Sequence, residues 1–287
     1  MSAVTPIPVK PLALCWGTVI GAPLETLIEA AGAAGLPRIT LTARMYQASR
    51  ARHASDAALR ALLRGAALQV HAIDPLISAL PGTPRPADVP AENRAYFEIS
   101  EDDCYRAAEA LDAETINLAH FGGGAVSEQA FIDCLGGLAQ RARRHGVRLT
   151  LEFLPESAIP DLGHAQRLTR AVGADNLAIL FDVWHFARTG GTLEALEALP
   201  EGAIGGLQIS DRIAPPPGTA YAPMSGRLLP GEGELPLTAW LPALLRRQSR
   251  LTAIGVEVFS EALRELPPAE VARRVASSAA ALLARLA

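Results

Sequence analysis

The strongest constraint in this 287-residue chain is an alternation that repeats eight times: a short apolar run, then a stretch with helical spacing. "LALCWG" (12–17) precedes a helix over 23–35, "RITLTAR" (38–44) one over 56–66, and "LQVHAID" (68–74) one ending at 113. "TINLAHF" (115–121), "RLTLEFLP" (148–155) and "NLAILFDVWHF" (176–186) lead into helices over 127–146, 161–173 and 192–199. "AIGGLQISD" (203–211) and "AIGVEVFS" (253–260) lead into helices over 237–248 and 268–287. Strands apolar on both faces belong to a parallel sheet covered by helices.

Eight such units at this length predict an α/β fold, a single (β/α)8 TIM barrel over 12–287 behind an N-terminal extension of residues 1–11. A doubly wound open sheet is the alternative. A composition 49% hydrophobic and 20% charged supplies the core and excludes a disordered chain. A net charge of −4, with a pI near 5.9, gives no general attraction to nucleic acid or to an anionic membrane. The basic run "RARRHGVR" (141–148) reads as a solvated helix end favoured by the helix dipole. No run approaches the length needed to span a bilayer, and prolines interrupt the N-terminal region where a secretory core would lie. Cys15, Cys104 and Cys134 have no paired spacing and fit a reducing, cytoplasmic setting. The alanine-rich helix at 268–287 could pack in a homo-oligomer or against the barrel.

Two connections exceed ordinary loop length: 75–93 after the third strand and 212–234 after the seventh, both rich in proline and glycine. Both leave the strand ends where barrel active sites lie, which suits lid or substrate-lining roles.

Polar residues at the C-terminal ends of barrel strands converge on one point. They are Trp16, His71 on strand three, His120 on strand four, Glu152 on five, Asp182 and His185 on six, Gln208 and Asp211 on seven, and Glu257 on eight. Each acid interrupts an apolar run, as in "LTLEFL", "ILFDVW" and "GVEVF". Acids grouped this way repel one another unless a cation sits among them, which points to a metal centre.

"LTLEFLP", "ILFDVWHFARTG", "LQISD", "RLLPGEGELPL" and "GVEVFS", in this order, resemble the sugar phosphate isomerase/epimerase superfamily with the xylose-isomerase-like barrel. The resemblance implies one divalent ion held by Glu152, Asp182, Gln208 and Glu257. Most members have histidine where this chain has Gln208. A shell wholly of oxygen favours Mn²⁺ or Mg²⁺ over zinc, with Co²⁺ also admitted. Gln208 together with "PGEGELP" is similar to the barrel domains of 3-dehydroshikimate dehydratases. In the family the position of His185 contacts substrate and can take part in proton transfer.

The chemistry this implies is α-proton abstraction from a small polyhydroxylated ketone, with Glu152 and Glu257 as opposed bases and His185 assisting. His71, His120, Arg227 and Trp16 are expected at the substrate, Arg227 on a carboxylate if there is one. Trp184 and Phe186 are expected to wall the pocket, and Asp211 to cap a loop. An isomerase or epimerase of a keto-sugar is the leading expectation. The alternatives are a dehydratase (lyase) of the 3-dehydroshikimate or inosose type, a subunit eliminating sugar from a 3-keto-glycoside, and a degenerate sugar-binding barrel.

Overall fold

A computed structural model describes residues 10–52, 55–122, 126–214, 216, 218–220 and 226–286. Most of the expected N-terminal extension, His53 and part of the 212–234 connection lie outside the described residues.

The eight apolar runs pair in parallel and in sequence order, and the first closes on the last to form a barrel. The strands are β1 (Leu12–Leu14), β2 (Arg38–Leu41), β3 (Gln69–Leu76), β4 (Thr115–Leu118), β5 (Arg148–Glu152), β6 (Leu177–Asp182), β7 (Ile204–Ile209) and β8 (Ile254–Val256). Their side chains are buried almost throughout because the lumen takes one face and the helices the other. Close approach inside the lumen fixes two glycines. A Cβ on Gly206 would lie 2.5 Å from Leu180, and one on Gly255 2.8 Å from the Cys15 sulfur.

Three boundaries differ from the sequence reading. β2 stops at Leu41, because the Thr42 hydroxyl accepts from the Met45 amide and starts an additional helix, α2 (Ala43–Arg52), after α1 (Leu24–Ala33). β6 stops at Asp182, whose Oδ1 accepts from the Trp184 amide at 2.7 Å and opens a short helix over Val183–Arg188. β3 continues to Leu76, and the excursion after it contains a helix over Ala91–Phe97.

The base of the barrel is closed by Glu114. It accepts from Arg38, from Arg148 at 3.2 Å and from Thr252 at 2.6 Å, with His71 Nδ1 3.5 Å away. Burial would raise its carboxyl, but His71, Thr252 and Arg38 outweigh that and hold it down to about 2. The basic run at 141–148 meets acids too: Arg141 forks onto Glu101 at 2.7 and 2.9 Å, and Arg143 pairs with Asp175. Among the described residues no helix is long and apolar enough to cross a membrane.

Candidate active site

Glu152 ends β5, Asp182 ends β6, Gln208 lies one residue from the end of β7, and Glu257 follows β8. Parallel pairing sets Asp182 opposite Gln208 and Gln208 opposite Gly255, so the staggered strand ends present these side chains to one buried place. One ligand atom each from Glu152, Asp182 and His185 lies within 4.8 Å of the others. His185 Nε2 is 3.5 Å from both Glu152 Oε1 and Asp182 Oδ2, because the helical turn after β6 folds it back over Asp182. His185, expected at the substrate, thus also stands within reach of a shared cation.

Two residues that the sequence reading passed over complete the cluster from below. Asp74, near the end of β3, accepts from Asn117 Nδ2 at 2.8 Å and from Gln208 Nε2 at 3.3 Å. Asn117, on β4, also donates to Glu152 Oε2 at 2.9 Å and accepts from the Thr150 hydroxyl. Burial, and then the Glu152 charge, push the Asp74 carboxyl up to about 7 against the pull of Asn117. Burial and the Asp74 charge raise Glu257 as well. The available signal was a polar residue closing the apolar run "VHAID", the same pattern that exposed Glu152 and Asp182.

Arg227 enters from the connection after β7. Its Nη1 lies 2.6 Å from Asp182 Oδ2, 3.3 Å from the Glu257 carbonyl and 3.7 Å from Glu257 Oε2. Burial works against its charge, but Asp182 and Glu257 outweigh that and hold the proton more firmly. The guanidinium sits 4.8 Å from the Trp184 ring centre and 5.3 Å from that of Phe259, a cation–π sandwich. Trp16 packs edge-on to Phe259 and at a tilt to Tyr96, 5.8 Å away on the helix of the other long excursion. Trp16 and Phe259 therefore bridge between Arg227 on one side of the mouth and Tyr96 on the other. Asp211 fixes one of them by accepting from the amides of Arg212, Gly231 and Leu235, which agrees with a loop cap.

Three expected pocket residues stand elsewhere. His71 is three residues before Asp74, about 10 Å down the strand at the rise of an extended chain, and faces Glu114 at the base. The sequence reading took any polar residue of the strand as a mouth residue, whereas Asp74 is the one that closes its apolar run. His120 lies near the mouth, but its Nδ1 accepts from the Ala158 amide at 3.3 Å and its Nε2 faces the Pro81 carbonyl at 3.2 Å. Both nitrogens are committed to tying two loops together, and burial lowers its pKa. Phe186 packs outward against Phe181 and Trp240 rather than toward the pocket, because it lies on the other side of the turn from His185.

Similar proteins share this architecture. The chain is 28% identical over 134 residues to an inosose isomerase of Halalkalibacterium halodurans, covering 46% of each chain. It is also 28% identical over 134 residues to the inosose isomerase of Bacillus subtilis, covering 46% of this chain and 47% of that one. The alignments span about half the length of these curated relatives. Among solved structures, the IolI protein with a bound zinc atom superposes with a TM-score of 0.82 at 19% identity, over 97% of this chain and 99% of the other. A probable 3-DHS dehydratase, AsbF of Bacillus anthracis, superposes with a TM-score of 0.68 at 16% identity, over 91% and 97% of the chains. The model of the xylose isomerase-like TIM barrel family matches residues 27–282, and the chain belongs to that family.

Proposed function

We propose that this protein is a divalent-metal-dependent isomerase or epimerase acting on a small polyhydroxylated ketone of the keto-sugar or inosose class. The observation that carries this reading is the Gln208 side-chain carbonyl oxygen, which is buried without a hydrogen-bond partner among the described residues, on the strand beside the one that ends in Asp182. An orphaned buried acceptor costs about 1–3 kcal/mol unless something binds it, and a hard cation would bind it well. The donors therefore fit a metal: Glu152, Asp182, Gln208 and Glu257 would hold it through oxygen, with His185 close enough to add a nitrogen. Oxygen donors favour Mn²⁺ or Mg²⁺, and the imidazole widens the choice to Co²⁺ or zinc.

A divalent ion there would polarise the substrate carbonyl and offset the negative charge that develops as the α-proton leaves. Glu152 ends β5 and Glu257 follows β8, strands that are not neighbours in the barrel, which suits one to take the proton and the other to return it. His185 is placed to exchange a proton with a substrate hydroxyl. Trp16, Trp184 and Phe259 wall the mouth and limit water there, and Arg227 can hold an oxygen of the substrate. The inosose isomerase relatives support a cyclic polyol ketone as the substrate class.

The test is wash-in of deuterium from D₂O into a panel of ketoses and inososes by Mn²⁺-loaded protein. Deuterium in a recovered isomer or epimer is the expected result. A new ultraviolet-absorbing conjugated product would instead identify a dehydratase. Binding of the panel with no exchange would identify a sugar-binding barrel.

A further inference from the structure

We infer that Asp74 is a positioning residue that makes Gln208 an oxygen ligand, and so sets how tightly the site holds its metal. The inference rests on the metal-dependent reading above and extends it to a residue outside the expected ligand set.

A glutamine side chain has two nearly isosteric ends, and its orientation is set by what surrounds it. Facing a cation, only the carbonyl end binds; the amide end presents two N–H groups and repels it. In this protein the Gln208 amide donates to Asp74 Oδ2, and the carbonyl oxygen is the end left without a partner among the described residues. Asp74 can play this part because one of its oxygens accepts the Gln208 N–H while the other accepts from Asn117 and is held in place.

Asp74 is in turn fixed from the neighbouring strand. The Thr150 hydroxyl donates to Asn117 Oδ1, which forces the Asn117 amide toward Asp74 Oδ1 and Glu152 Oε2. One buried hydrogen-bonded chain through β5, β4 and β3 thereby orients the expected ligands Gln208 and Glu152 together. Replacing an imidazole ligand by glutamine works only if something dictates which end faces the ion. Asp74 supplies that instruction through its hydrogen bond to the Gln208 amide.

The test is Mn²⁺ affinity, measured by calorimetry and by the paramagnetic resonance of free Mn²⁺, for the full chain and four forms: wild type, Asp74→Asn, Gln208→Glu, and the double variant. Asparagine keeps the shape of Asp74 but can donate to the Gln208 carbonyl, which turns the amide toward the ion. Asp74→Asn should weaken Mn²⁺ binding at least tenfold in the Gln208 background, in the range seen when partners of metal ligands are removed. In the Gln208→Glu background the ligand has two equivalent oxygens and needs no orienting, while Asp74 would repel it. There Asp74→Asn should leave binding unchanged or tighten it.

Weakening of similar size in both backgrounds would mean general damage to the barrel and would overturn the inference. So would unchanged affinity in the Gln208 background. Wild-type protein that binds no Mn²⁺ would overturn the metal-dependent reading and this inference with it. Mn²⁺ binding by wild type, with Asp74→Asn weakening the Gln208 form no more than the Gln208→Glu form, would overturn this inference alone.

Discussion

Arg227 Nη1 and Asp182 Oδ2 lie 2.6 Å apart at a place where the two side chains are 2% and 0% exposed. The guanidinium is thus the built-in positive charge of an acidic cluster that would otherwise repel itself. Replacing it takes the guanidinium from the buried Asp182 Oδ2 and leaves only the Trp184 amide and His185 beside that carboxylate, a loss of about 3 kcal/mol. Arg227→Met should lower the melting temperature of metal-free protein, and added Mn²⁺ should restore most of the loss. Thermal denaturation with and without Mn²⁺ checks both halves.

Glu152→Gln and Glu257→Gln should each slow deuterium exchange by about 10²–10⁴, the contribution expected of a positioned base. Neither should unfold the barrel, because each removes one of several mutually repelling charges. Exchange rates by NMR, set beside circular dichroism melts, separate chemistry from folding.

The carboxyl of Glu114 titrates near 2 in the fold against 4.5 as its ordinary value. A depressed carboxyl stabilises the fold fully above its unfolded pKa, and that stabilisation is lost as acid carries the pH from about 4.5 toward 2. The group keeps 28% side-chain exposure, so solvent screening reduces the contribution to about 1–2 kcal/mol. Glu114→Gln should therefore lower urea stability at pH 7 and flatten its decline between pH 5 and 3.

His120 ties the Pro81 and Ala158 backbones through neutral imidazole, and its pKa lies below the usual histidine value. The stabilisation it gives is present above pH 6.5 and falls as acid protonates the ring, because Nδ1 then cannot accept. His120→Phe should leave the Ala158 amide unpaired, cost about 1–3 kcal/mol, and raise KM more than it lowers kcat. Steady-state kinetics and hydrogen exchange over 77–84 and 155–160 check this.

Asp211→Ala should free the amides of Gly231 and Leu235 and loosen the segment that carries Arg227. The expected result is a weaker grip on substrate, with KM raised about tenfold or more on the loss of several charge-assisted hydrogen bonds. Proteolysis within 212–234 should quicken in parallel.

The sequence by itself determined the barrel and four of its polar mouth residues. Eight doubly apolar runs cannot be satisfied except between helices, and a charge placed inside such a run announces itself. Glu152, Asp182, Gln208 and Glu257 were legible for that reason. Only the tertiary structure decided where each strand ends relative to its neighbours. The stagger of β3 against its neighbours sets His71 beside Glu114 at the base and brings Asp74 beside Asn117 and Gln208. Asn117 sits in "TINL" as an ordinary strand residue until Asp74 and Glu152 are brought to either side of it. Arg227 is 45 residues from Asp182 in the chain, and its role follows from a loop held by Asp211. Side-chain periodicity reports which face of a strand a residue occupies. The height of that residue along the barrel axis depends on the stagger between strands, a property of the closed sheet that no single strand carries.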